Sequence, residues 1–303
     1  MSESVIEREL AIRLAAMDWL ATFGTESTFR YEQLAQFQFR GNRVPLTDRG
    51  RGIRKPAQLN AALSFSTVFT PPTGVPPYED AEGRDGLLRY KIRGEDAAHP
   101  ENVAMRAAYR QGLPLIWFVG VAPGLYLPRY PVHLVGEERG QFVVALDQAQ
   151  RNLARAGGET VTEDDRRYAE AITRRRLHQP LFRARVLQAY ESRCSMCHLR
   201  HASLLDASHI LDDKHALGQP VVPNGLALCK IHHAGFDQNI IGVSPDLRIN
   251  VRRDILDEID GPMLKHGIQA LEGERLTVPR QRLAAPDRDR LAVRFADFLA
   301  AAA

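Results

Sequence analysis

The stretch CSMCHLRHASLLDASHI, residues 194–210, sets two cysteines two residues apart and then runs through an alternating segment to a histidine. Downstream, NGLALCKIHHAGFD (224–237) holds the remaining cysteine beside two adjacent histidines. All three cysteines of the chain fall in these two pieces. Cys194 and Cys197 form a CxxC knuckle, and Cys229 and His232 repeat the spacing as CxxH. Each knuckle holds two soft ligands at the separation a tetrahedral ion requires, so the four residues predict a structural Cys3His zinc site. Three buried thiols and a surface histidine is the plainer alternative, and matched spacing argues against it.

Working outward, the chain of 303 residues is long enough for two ordinary domains. Its 44% hydrophobic and 25% charged content is that of a globular protein. No apolar run approaches the roughly 20 residues needed to cross a bilayer. The start, MSESVIERELAIRLAAMDWL, carries acidic residues early and reads as an amphipathic helix, unlike a secretory leader. Three cysteines cannot complete a paired disulfide framework, which points to a reducing compartment and a cytoplasmic protein. The net charge of +3 is only mildly basic, but arginines far outnumber acids between Arg166 and Arg200. That run is a solvated helix face or a surface that tracks phosphates.

Residues 63–147 change character, with short apolar runs broken by Gly and Pro: LSFSTVF, LLRYKI, LPLIWFVGV, YPVHLV and QFVVAL. They predict strands of a mostly antiparallel or mixed sheet, interrupted by one helix near 101–110. GGETVTEDD (157–165) marks a boundary, and Thr162 with Asp165 resembles a capping box opening a basic helix. A second helix is expected around 180–190, LLDASHI as a strand, and a final amphipathic helix over 286–302. The fold class is therefore α+β. The expected division is 1–155, a basic helical linker over 156–179, and a C-terminal domain over 180–303.

Zinc alone leaves His209, Asn224 and His233 without a role. In ASHI (207–210), NGLAL (224–228) and HHAGFDQNIIGV (232–243) the chain resembles the HNH endonucleases, the ββα-metal nucleases, over about 180–280. GPML (261–264) and LTVP (276–279) belong to the same likeness. The resemblance implies that His209 is the general base that activates water, a task suited to an imidazole near neutral pKa. It implies that Asn224 braces the loop and orients that base. It makes His233 a ligand of a catalytic divalent cation, Mg²⁺, Mn²⁺ or another, which offsets charge on the leaving oxygen. Adjacent helical residues point about 100° apart, so His232 can face zinc while His233 faces the other metal. Many such sites carry a metal ligand just before the base, where this chain has Ser208. Asp237, four residues after His233, is favoured to compensate; Asp206, on the strand face of Ser208, is the other choice.

The stretch GVPPYEDAEGRDGLLRYKIRGED (74–96) resembles the SRA domain, a PUA-like curved β-barrel that reads modified cytosine, and the likeness extends over roughly 60–147. ENVAMRAAY (101–109) resembles the helix that follows in that family. The resemblance implies that Tyr78 and Tyr90 sandwich a base flipped from the duplex, and that Asp80 binds the exocyclic amine of a cytosine. The carboxylate expected one residue later is Ala81. Read without the family, the tyrosines are strand aromatics in a core. Arg49, Arg51, Arg54 and Lys55 either touch phosphates or belong to a solvated loop.

Together these resemblances imply a modification-dependent restriction endonuclease: an SRA-like domain with flanking helices, then a zinc-stabilised HNH domain, acting on double-stranded DNA that carries a modified base. Such a site cuts one strand, so cleavage of both suggests a homodimer. Two other readings stay open. One is a non-specific DNA or RNA nuclease with a different sensor domain, and the other a zinc-stabilised DNA-binding protein without catalysis.

Overall fold

One long strand, β8 (Leu125–Glu138), carries two other strands in succession and so bends the N-terminal sheet. Its first half pairs antiparallel with β7 (Leu115–Ala122), and from His133 onward it pairs with β9 (Gln141–Ala145). Register shifts at Leu115/Trp117, Gly120/Ala122 and Leu134/Gly136 mark the bulges where the strand turns. The computed structural model describes residues 5–24, 26–70, 87–155, 167–168 and 171–302. Among these the chain divides into two compact units, 1–181 and 182–303.

The first unit is built on a seven-stranded mixed sheet. Its path runs from β4 (Ile53–Arg54) through β5 (Ser64–Thr67), β7, β8 and β9 to β6 (Leu88–Lys91), and β1 (Phe29–Arg30) joins the side of β8. β5 lies parallel to β7 and the other pairs are antiparallel. The sheet stays open at β4 and β6 yet curls enough that Tyr90 of β6 donates its hydroxyl to the Ser66 carbonyl of β5, at 3.4 Å. It is a curled half-barrel rather than a closed one. β2 (Gln38–Phe39) and β3 (Asn42–Arg43) form a separate hairpin.

Two apolar clusters sandwich this sheet. On one side α1 (Val5–Ala21) and the turn helix α2 (Tyr31–Leu34) bury Ile12, Leu20, Leu34 and Phe118. On the other, α3 (Pro100–Gln111) packs Met105 and Ala108 against Phe65, Trp117 and Phe142. Gly112 ends α3 at φ +62°, the left-handed cap for which glycine has no side-chain penalty. After α4 (Gln148–Arg155), residues 171–181 belong to the first unit: Leu177 is buried in its core and Gln150 bonds Thr173 at 3.2 Å. The capping pair Thr162 and Asp165 lies outside the described residues.

α5 (Gln179–Ala189) starts at the end of the first unit, and in the second unit its Phe182 and Val186 join a core with β10 (Leu205–His209) and β11 (Gly225–Cys229). The two strands form a hairpin with His209 opposite Gly225. Helix α6 (Lys230–Asp237) follows directly. The hairpin of β12 (Ile241–Val243) and β13 (Ile249–Val251), the short helices α7 (Arg253–Asp257) and α8 (Pro262–Gly267), and α9 (Arg288–Ala302) complete the unit. No helix among the described residues is long and apolar enough to cross a membrane.

Candidate functional site

The knuckle at Cys194 closes as a tight turn, with the Cys194 amide on the Leu199 carbonyl and the His198 amide on the Cys194 carbonyl, both at 3.0 Å. Cys229 ends β11 and caps α6, which places His232 in the helix's first turn. The ligand atoms of Cys194, Cys197, Cys229 and His232 all lie within 4.8 Å of one another. Sγ of Cys194 and of Cys229 are each 3.3 Å from Nδ1 of His232. A tetrahedral zinc would set sulfur and nitrogen about 3.5 Å apart, given its bond lengths of about 2.3 and 2.0 Å. Nε2 of His232 meets the Gly267 carbonyl at 2.7 Å, so the ring keeps its proton there and leaves the Nδ1 lone pair for an ion. Hydrogen bonding among the thiols draws Cys194 and Cys229 below the ordinary thiol range and lifts Cys197 above it. Donor set, spacing and orientation all fit a metal ion.

On the other side of α6 lies the second group. His209, at the end of β10, stacks on Phe182, with ring centroids 4.0 Å apart and planes at 14°. Gly225 makes room for this: a Cβ there would come within 2.5 Å of Val186 and 2.9 Å of the Phe182 ring. Nε2 of His209 is buried without a hydrogen-bond partner. Burial holds the imidazole below its ordinary pKa, against the pull of Asp213 and Asp212. Burial thus disfavours the charged form of the ring.

Asn224 is fully buried. Its amide donates to the carbonyls of Leu211 and Gln219 at 3.0 and 3.1 Å, and its Oδ1 accepts from the Leu211 amide at 3.0 Å. It pins both ends of the loop that leaves His209. His233, one-quarter exposed, sits with Nε2 3.3 Å from Asp237 and Nδ1 3.8 Å from Asp206. Asp206 also meets Lys230 at 2.8 Å and Arg183 at 3.3 Å. Burial raises its pKa, but Lys230 and the Ala207 amide outweigh this and keep the carboxylate below its usual range. Ser208 is fully buried, its hydroxyl 3.4 Å from the His209 carbonyl.

Sequence reasoning missed Phe182, Arg183 and Lys230. Phe182 reads as one more apolar helix position, and nothing in the spacing of the two cations ties them to Asp206. Several arginines of the basic run turn out to make structural bonds. Arg183 donates to the Leu205 carbonyl at 2.8 Å, and Arg176 to the Leu146 carbonyl.

In the first unit Tyr90 is 9% exposed and its ring lies 4.7 Å from Phe65, within the core. Its hydroxyl end lines a cavity of about 400 Å³ together with Arg51, Gly52, Thr67, Arg93 and Tyr126. Tyr78 and Asp80 fall outside the described residues. Of the basic loop residues, Arg54 pairs with Asp48 at 3.3 Å, Lys55 donates to the Leu59 carbonyl at 3.1 Å, and Arg49 pairs with Glu32. Arg51 also reaches Asp48, at 4.0 Å, and like Arg49 its side chain is mostly exposed.

A β-hairpin and helix carry histidine, asparagine and histidine beside a Cys3His cluster that could hold a metal ion. Residues 194–244 match the family described as HNH endonuclease, so this segment is an HNH endonuclease domain and the chain is a nuclease. A comparison with curated proteins finds none that matches. Among solved structures the chain is similar to a modification-dependent TagI restriction endonuclease, at 17% identity and TM-score 0.29, over 89% of this chain and 91% of that one. It is also similar to the Type IV phosphorothioation-dependent restriction endonuclease ScoMcrA, at 16% identity and TM-score 0.27, over 62% of this chain and 48% of that one. Both scores are too low for a shared fold to be read from either.

Proposed function

We propose that the chain is a modification-dependent DNA endonuclease, whose first unit is an SRA-like reader of a modified cytosine and whose second unit hydrolyses the backbone. The supporting observation is the setting of His209: an imidazole stacked on Phe182, its charged form disfavoured by burial, within the electrostatic reach of His233 and Asp237. Nδ1 of His209 takes the proton from the attacking water. Asn224 holds the loop and with it the orientation of that ring. His233 and Asp237 hold a divalent cation, which supplies charge neutralisation at the scissile phosphate. Asp206, already paired with Lys230 and Arg183, fixes the position of His233 rather than serving as the main ligand. Cys194, Cys197, Cys229 and His232 hold zinc and tie α6 to the knuckle.

For the reader domain, support comes from the curled sheet and from the Tyr90-lined cavity near its two open edges. Tyr78 and Asp80 would complete a pocket for the flipped, methylated or hydroxymethylated base. Cutting both strands would need two copies of the chain.

The test is digestion of matched DNAs bearing cytosine, 5-methylcytosine, 5-hydroxymethylcytosine or phosphorothioate, with Mg²⁺, Mn²⁺, Co²⁺ and Ni²⁺ in turn. Cleavage restricted to a modified cytosine supports the reading. Equal cleavage of all four DNAs would leave a nuclease with another kind of sensor, and no cleavage with any metal would remove the catalytic reading.

A further inference from the structure

The last helix of the chain, α9, lies outside residues 194–244 that match the nuclease family, yet it touches both halves of the candidate site. Its apolar side buries Leu291 and Phe298. Phe298 closes over Gly242 of β12, where a Cβ would come within 2.5 Å of the ring. These contacts anchor the helix without help from its arginines. Arg290 and Arg294, four residues apart, lie on one side of it and do something else.

Arg290 holds the loop that leaves His209 and returns at Asn224. Its Nε donates to the Leu217 carbonyl at 2.8 Å, and its Nη2 to Oε1 of Gln219 at 3.0 Å. Just ahead of the helix, the Asp287 amide donates to the Pro223 carbonyl at 2.9 Å, next to Asn224. The loop is tightly folded: at Gly218 a Cβ would fall 1.9 Å from the Asp212 carbonyl oxygen. An anchor at 217–219 is therefore felt close to His209.

One turn further on, Arg294 holds the end of α6. It donates to the Phe236 carbonyl and to Oδ1 of Asn239, and its guanidinium lies 4.7 Å above the Phe236 ring. With eight residues α6 makes only about two turns, and its last carbonyls have no partner inside the helix. A basic side chain that bonds one of them holds the end against fraying. Asp237 lies in sequence between the two anchored residues. Burial draws the Arg294 guanidinium below its usual range, and Asp297 and then Asp237 oppose that pull.

We propose that Arg290 and Arg294 are positioning residues for the nuclease, which together make α9 a clamp across the site. Arg290 sets the loop behind His209, and Arg294 sets the helix end that carries Asp237 beside His233. The proposal rests on the roles given above to those three residues. The two arms act differently: Arg294 governs cation affinity, and Arg290 governs the rate once the cation is bound.

The experiment titrates the full chain, as purified, with Mn²⁺ followed by its EPR signal. Single-turnover cleavage of a duplex that the parent cuts is then measured at saturating Mn²⁺. Arg294→Met keeps an apolar stem over Phe236 and removes the donors, so Mn²⁺ affinity should fall about tenfold or more. Arg290→Met should bind Mn²⁺ as the parent does and cut about 10- to 100-fold more slowly. Both readouts are taken well below the melting temperature, where a loss of stability alone leaves them unchanged. Asn239→Gly, which accepts the left-handed backbone at φ +53°, and Gln219→Ala each remove an acceptor. They carry the test if an arginine variant does not fold. His233→Ala is the control: Mn²⁺ binding equal to the parent's would remove the cation assignment, and the clamp with it. Loss of the site in His233→Ala, with parent affinity and rate in every clamp variant, would overturn the clamp alone. Equal losses of affinity and rate in both arms would overturn it too, leaving α9 as a general support.

Discussion

His209 lies flat on Phe182, ring centroids 4.0 Å apart, and Gly225 across the hairpin is what leaves space for that ring. The histidine proposed as the base is thus held against a helix that precedes both knuckles in sequence. Phe182→Leu keeps an apolar group of similar size and removes the flat surface. It should cost less than about 1.5 kcal/mol of stability, while single-turnover cleavage falls by roughly 10- to 100-fold from misplacement of the base. Loss of stability with unchanged cleavage would show that Phe182 is packing alone.

His209→Ala should lower cleavage at least about 100-fold with fold and DNA binding intact. Because burial depresses the His209 pKa, the acid limb of the cleavage profile should lie below the ordinary imidazole value of about 6.5. The same shift makes stability pH-dependent. Between the depressed folded value and about 6.5 the unfolded chain binds more protons, so stability falls as the pH drops through that window and is unaffected above it. A profile whose acid limb sits above 6.5 would contradict the assignment of His209.

Much of the second unit was legible from residues 194–237. The knuckles, the strand ending in His209 and the helix carrying His232 and His233 each follow a short local pattern, and the structure brings the Cys3His ligands together. What lay beyond reach was long-range. Phe182 acts through packing, Gly267 through a carbonyl any residue could supply, and Lys230 through its partner on the neighbouring strand. In the first unit the runs at 64–67, 115–122 and 141–145 read correctly as strands, because each has too few residues between breaks for a helix. The bend of β8 was not readable, since bulges leave the composition of a strand unchanged.

For the Cys3His cluster the expected finding is one zinc per chain by metal analysis. A structural zinc contributes on the order of 10 kcal/mol to folding, so Cys194→Ser should unfold the second unit. The first unit has its own core and should keep its own melting transition. A folded, active preparation without zinc would refute the assignment.

Asn224→Ala removes the partner of three buried backbone groups at Leu211 and Gln219. At about 1 kcal/mol for each hydrogen bond, or more where a group is stranded, the loss should be about 3 kcal/mol. Denaturant unfolding measures this, and cleavage should fall with it. Asn224→Asp should recover little, because a carboxylate cannot donate to the two carbonyls. Recovery by the aspartate would mean that the asparagine acts on substrate and not on the loop.

The last prediction concerns the first unit. Tyr90 packs on Phe65 while its hydroxyl reaches the cavity, so Tyr90→Ala would cost about 3–5 kcal/mol of packing and could not test recognition cleanly. Tyr90→Phe retains the ring, and its melting should change by no more than about 1 kcal/mol. Gly52→Ala approaches from the opposite wall, with a Cβ 2.8 Å from the Tyr90 hydroxyl, and so crowds the cavity. If the cavity receives a flipped base, both substitutions should reduce the preference for modified over unmodified duplex. Binding through phosphates, which is strongly salt-dependent and blind to base identity, should persist in both. The measurement is paired affinities for the two duplexes at two salt concentrations. Discrimination unchanged in both variants would place base reading elsewhere in the unit.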